Sequence, residues 1–176
     1  MTWNETEGRK MAALDLPHLE EFLAFLPKLA KESERGMVLI GTSFIDELLK
    51  RTLLAFLVED SQCVKLVDGF NAPLGSLSTR TAAAYALGLI SEKENAEADT
   101  LRRIRNRFAH DIHVSFADQI IIDLCKNLTM AAEDYGDVGV VPQGRFTTSA
   151  TALILNLTNR PHHVAIERRY EKSWPN

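Results

Sequence analysis

Apolar side chains recur every three or four residues along most of the chain, the spacing that an α-helix gathers onto one face. Leu19, Phe22, Leu23, Leu26, Leu29 and Ala30 predict a first helix. Asp15 suits its N-cap and Pro17 its first turn, where a missing N–H does no harm. Pro27 interrupts the run, so a kink or break is expected near Leu26. A second helix is predicted over residues 34–58. Its Ile40, Phe44, Ile45, Leu48, Leu49, Leu53, Phe56 and Leu57 make a face broad enough to touch several neighbours, as in the central helix of a bundle. A short helix over residues 60–67 follows, before Gly69.

NAPLGSLS reads as a loop from its Asn, Pro, Gly and Ser content. TRTAAAYALGLI reads as a helix whose Ala82, Ala83, Ala84, Ala86 and Gly88 would let another helix approach closely. Ser91 with Glu94 forms a capping-box signature, so one helix stops near Ile90 and another runs to His110. Ser115 and Asp118 signal a further start, followed by the apolar face of Phe116, Ile120, Ile121, Leu124, Leu128 and Ala131. YGDVGVVPQG is a loop. FTTSATALILNL is assigned helix, although its threonines also suit a strand. The closing RPHHVAIERRYEKSWPN should pack at its start and fray at its end. The expected architecture is an all-α, single-domain bundle of six or seven helices. Residues 1–14 form a flexible N-terminus, 15–170 the helical domain and 171–176 a tail.

A length of 176 residues gives one core, and 45% hydrophobic with 25% charged residues is ordinary for a soluble domain. The formal charge of −4 argues against a protein held to DNA mainly by phosphate contacts, which needs a positive surface. Cys63 and Cys125 sit in apolar contexts and read as two buried thiols of a cytoplasmic protein. The polar N-terminus carries no signal-peptide pattern. MVLIGTSFIDELLKRTLLAFLV places Asp46, Glu47, Lys50 and Arg51 at its centre, which opposes a membrane span. The sequence therefore points to a soluble, cytoplasmic protein with no membrane contact.

The densest chemistry lies in LRRIRNRFAHD, residues 101–111. On a straight helix Leu101, Ile104, Phe108 and Ile112 fall within roughly 80° and face the core. Asn106 and His110, four apart, are neighbours on about the opposite side, with Arg103 beside them. Arg105 points about 140° away from His110. The two would share one small group only if the helix unwound near Ala109 or a second subunit faced the first. The candidate binding residues are Arg102, Arg103, Arg105, Asn106, Arg107 and His110. Alternatively, His110 only complements the helix dipole and Asn106 bonds a nearby turn.

LGSLSTRTAAAYALGLISEKE and IRNRFAHD together resemble the mannitol operon repressor family, over about Leu16 to Tyr170. That resemblance implies an all-helical bacterial regulator without a recognisable DNA-binding motif, consistent with the absence here of a helix-turn-helix signature. It implies negative regulation of a sugar-alcohol operon and leaves open contact with DNA or with another regulator. A shorter pattern, Arg105, Asn106 and His110, resembles the HEPN helical bundles, many of them dimeric, metal-independent ribonucleases. That resemblance implies a catalytic trio in which His110 moves a proton and Arg105 stabilises the phosphate transition state.

Other constellations are weaker. His162 and His163 are adjacent and cannot share a helix face, and H-D-x-H at 110–113 suits an ordinary loop better than a metal. Asp46–Glu47 and Glu20–Glu21 read as solvated helix faces or intersubunit pairs. GFNAPLG lacks the lysine and spacing of a phosphate loop, so no cofactor or metal is expected. The small-residue helix and the outward Asn106/His110 face suggest surface for a partner. The expected partners are a second copy in a homodimer, a transcriptional regulator protein or promoter DNA.

Overall fold

The computed structural model describes residues 19–175. The cap expected at Asp15, with Pro17, and the stretch 1–14 lie outside the described residues, as does Asn176 at the end of the tail. The named elements are all helices: α1 Leu19–Leu29, α2 Glu34–Phe56, α3 Ser61–Val67, α4 Leu77–Ala86, α5 Glu92–His110, α6 Gln119–Lys126, α7 Pro142–Thr158 and α8 Arg160–Ala165. The expected all-α bundle is what forms. Tyr135 and Val138 make an isolated bridge within the loop before α7.

The breadth of its apolar face makes α2 the central helix, packed against α4, α5, α7 and α8. Val38, Ile45, Leu48, Leu49 and Leu53 are buried along it, and Ser33 caps its start by accepting from the Gly36 N–H at 3.1 Å. Leu101, Ile104 and Phe108 of α5 meet this core with no exposed surface. Phe108, Phe116 and Phe146 form a chain of tilted rings 5.1 and 5.7 Å apart, joining α5 to α7.

Several boundaries differ from the sequence expectation, each for a local reason. α1 continues through Pro27 and ends at Leu29. Only one helical bond is lost to the missing N–H, two residues from the end, and burial of Leu29 holds the last turn against the core. Ala82, Ala86 and Gly88 face solvent rather than a close helix, and Ala84 alone among the small residues of α4 is fully buried. Gly88 has a different task. At φ +73° it lets its own N–H reach the Tyr85 carbonyl at 2.9 Å and the Leu89 N–H reach that of Ala84 at 2.8 Å. That paired closure ends α4 with a left-handed glycine.

Asp118 is the N-cap of α6, but its carboxylate accepts from the Ser115 N–H behind it at 3.1 Å rather than from the helix. α6 then stops at Lys126, so Leu128 and Ala131 follow the helix, and Ile120 is half exposed. Pro142, Gln143 and Gly144, expected in the loop, open α7 with proline in its first turn. After α8 the chain turns back on α2. The Arg169 N–H donates to the Phe56 carbonyl at 2.7 Å, and its guanidinium lies 4.6 Å from the centre of the Phe56 ring.

Buried polar groups tie these helices together. Glu97 accepts from the N–H groups of Thr129 and Met130, from the Thr129 hydroxyl and from the Ser149 hydroxyl. Glu94 holds the start of α5 by accepting from the Ser91 N–H at 2.7 Å, and also pairs with Arg160 at 2.8 Å. Ser91 completes the box by accepting from the Glu94 N–H at 3.2 Å. Replacing Ser91 with alanine is expected to lower the unfolding free energy by about 1 kcal/mol, measured by urea denaturation. Cys125 is buried, and burial pushes its thiol up to about 12, which keeps it protonated and unreactive. Cys63 is only half buried, contrary to the expectation of two buried thiols.

Candidate functional site

The arginines of α5 do not form one patch. With about 100° per residue, Arg105, Arg102 and Asn106 turn toward one side of the helix, and Arg103 and Arg107 toward the other. On the first side lies a cleft of about 320 Å³ between α2, the start of α4 and α5, lined by Thr42, Ser43 and Asp46, by residues 75–78, and by Arg102, Arg105 and Asn106. Arg107 instead borders a separate depression beside α6, with Val114, Asp118 and Ile120 among its walls. Arg103 is exposed.

Each wall of the cleft follows from its local sequence. Ser76 caps α4 by accepting from the Thr79 N–H at 3.2 Å, and the Thr79 hydroxyl oxygen accepts from the Ser76 N–H at 3.2 Å. This reciprocal box fixes the start of α4 at the edge of the cleft, which residues 75–78 line. Arg80, one turn on, is almost fully buried behind the cleft. Its guanidinium pairs with Asp46 Oδ2 at 2.7 Å and donates to the carbonyls of Leu74 and Val67, each at 3.0 Å. One arginine thus joins the 67–75 connection to α2 and sets the position of Asp46. Oδ1 of Asp46 is buried and accepts no hydrogen bond among the described residues.

Across the cleft, Arg102 is held by Asp99, with contacts of 2.6 and 3.1 Å. Arg105 donates to Asn106 Oδ1 at 3.2 Å and forms no ion pair among the described residues. The hydroxyl of Thr42 is committed to the Val38 carbonyl at 2.8 Å, whereas Ser43 and Ser78 are exposed and their hydroxyls have no protein partner among the described residues.

Of the residues singled out from sequence, Arg102, Arg105 and Asn106 come together. His110, the last residue of α5, is exposed and does not line the cleft. Ile112, assigned to the core stripe, is 83% exposed. The reason is Arg35 of α2. Its guanidinium donates to the carbonyls of Phe108, Asp111 and Ile112, capping α5 and turning the chain before the stripe can continue. Asp46 was expected on a solvated face or in an intersubunit pair; within the chain it pairs with Arg80 and lines the cleft. Ser43, Ser76 and Ser78 were not singled out, although LGSLSTR contains two of them.

Charged donors and hydroxyls converge, but no histidine lines the cleft, so Arg105 and His110 do not share a site within one chain. Among the described residues no three His, Cys, Asp or Glu side chains are grouped to hold a metal. No helix among them is long and apolar enough to cross a membrane.

The comparison with known proteins covers the stretches that build the cleft. The mannitol repressor family pattern matches residues 28–153. The chain is 30% identical over 87 residues to the mannitol operon repressor of Escherichia coli strain K12, and equally to that of Escherichia coli O6:H1 strain CFT073. Each alignment covers 47% of this chain and 44% of the relative, so the chain spans less than half the length of these curated relatives. No solved structure matches significantly. The family pattern covers most of the chain and every residue that lines the cleft, and the chain belongs to the mannitol repressor family.

Proposed function

We propose that the protein is a negative regulator of transcription of a mannitol-utilisation operon. The observation that carries this reading is the family match over residues 28–153, together with relatives named as mannitol operon repressors. The regulator works through a macromolecular partner, and a protein is the better candidate than bare DNA. The chain has a formal charge of −4, and its helical arginines are divided between two faces rather than gathered into one phosphate-binding stripe. A homodimer, the commonest closed assembly of soluble chains, belongs to the same reading. No observation favours the ribonuclease alternative with Arg105, Asn106 and His110.

Deleting the gene in its host and following a reporter fused to the mannitol operon promoter tests this function. Loss of the protein is expected to raise reporter output without mannitol, and restoring it should lower output again. Unchanged output in both strains would remove the regulator reading. Specific nanomolar binding of the purified protein to the promoter at physiological salt would replace the protein partner with DNA.

A further inference from the structure

We propose that the cleft between α2, α4 and α5 binds a small polyhydroxylated anion, such as a sugar-alcohol phosphate or a sugar acid. Binding rests on the cleft itself; a role for the ligand as effector rests on the regulator reading above.

Charge comes first. Arg80, Arg102 and Arg105 bring three guanidinium groups to the cleft or its wall, against the two carboxylates of Asp46 and Asp99. A site with one surplus positive charge in a chain of net charge −4 is a local reversal of sign, suited to an anionic guest. Arg105 has no carboxylate partner among the described residues, so its fork remains available for an anionic oxygen pair. The N-terminus of the ten-residue helix α4 adds the positive end of its dipole, although its Thr79 N–H is already taken by Ser76.

The rest of the lining selects for hydroxyl groups. Ser43 and Ser78 offer hydroxyls with no protein partner among the described residues, and Asn106 offers an amide. Asp46 lines the cleft with one oxygen paired to Arg80, while its other oxygen is buried and has no donor among the described residues. Leu77 is the single large apolar side chain of the lining, so little affinity is available to an apolar guest. A volume of about 320 Å³ lies at the small end of ligand sites, which run from roughly 300 to 1,000 Å³.

Isothermal titration calorimetry of the purified full chain with four probes tests the proposal: a mannitol phosphate monoester, gluconate, mannitol and inorganic phosphate. Binding of the phosphate monoester or of gluconate, at least about tenfold tighter than mannitol or inorganic phosphate, is the expected result, and the better of the two identifies the anion. Arg105→Gln should weaken that binding about tenfold or more, with Ser43→Ala weakening it less. Lys126→Gln removes the same charge outside the cleft and should leave affinity unchanged. Melting curves on each variant confirm that it is folded. Equal affinity for inorganic phosphate, equal affinity for mannitol, no heat with any probe, or binding indifferent to Arg105→Gln would each overturn the proposal. A chain that represses the reporter but binds no probe loses this inference alone. One that binds a probe but does not repress loses only the regulator reading.

Discussion

Glu97→Ala is expected to lower the unfolding free energy by about 3 kcal/mol, equivalent to a melting temperature reduced by roughly 6–12 °C for a domain of this size. Glu97 is 1% exposed. One carboxylate oxygen accepts from the Thr129 N–H at 2.8 Å and the Thr129 hydroxyl at 2.9 Å. The other accepts from the Met130 N–H at 3.0 Å and the Ser149 hydroxyl at 2.6 Å. Hydrogen bonds to a charged group contribute about 1.5–3 kcal/mol each, but not additively, and burying the carboxylate subtracts from their sum. The decisive loss in alanine is that the backbone donors of Thr129 and Met130 lose their acceptors where α6 gives way to the loop before α7. Glu97→Gln keeps the shape but supplies one good acceptor oxygen and presents an NH2 group to donors, so it should recover less than half of the loss. Urea denaturation of the three proteins provides the measurement. A wild-type midpoint for Glu97→Ala would show that the loop is held by other contacts.

Arg80→Ala should cost about 2–3 kcal/mol and also open the cleft wall. The Arg80 side chain is 8% exposed and that of Asp46 29%, so solvent screening reduces the pair below the value of a fully buried one. Alanine removes the ion pair and leaves the carbonyls of Leu74 and Val67 without their donor. Lysine keeps the charge but cannot reach both carbonyls and the carboxylate at once, since a single ammonium replaces a planar fork. Arg80→Lys should therefore restore only part of the stability. In a double-mutant cycle, Asp46→Asn should cost less in the Arg80→Ala background than in the wild type, because its partner is already gone. Strictly additive losses, read from denaturation midpoints, would mean that the pair contributes nothing to the fold.

These two residues also mark where sequence reasoning reached its limit. Helical spacing located α2 and α5, and the Ser91/Glu94 box fixed the start of α5, because periodicity and capping act over one or two turns; α7, whose threonines also suit a strand, takes its helix assignment from its all-helical surroundings. The turn per residue also foretold that Arg105 and His110 diverge, as they do. Arg80 and Glu97 gave no such signal. A buried charge with partners many residues away looks, in a sequence, like any charge on a polar helix face.

From the sequence alone, this protein was determined to be an all-helical bundle of the mannitol repressor type, with a core stripe of Leu101, Ile104 and Phe108. Local rules suffice for that, since each residue's preference depends on neighbours a few positions away. The tertiary structure alone decided that Arg35 ends α5 and sends Ile112 outward, that Arg80 orients Asp46, and that Arg102, Arg105 and Asn106 share a cleft with Ser43 and Ser78 while His110 stays apart. The physical reason is distance along the chain. Arg35 and Asp111 are 76 residues apart, and contacts of that kind exist only after packing of α2 against α5 has brought the two segments together.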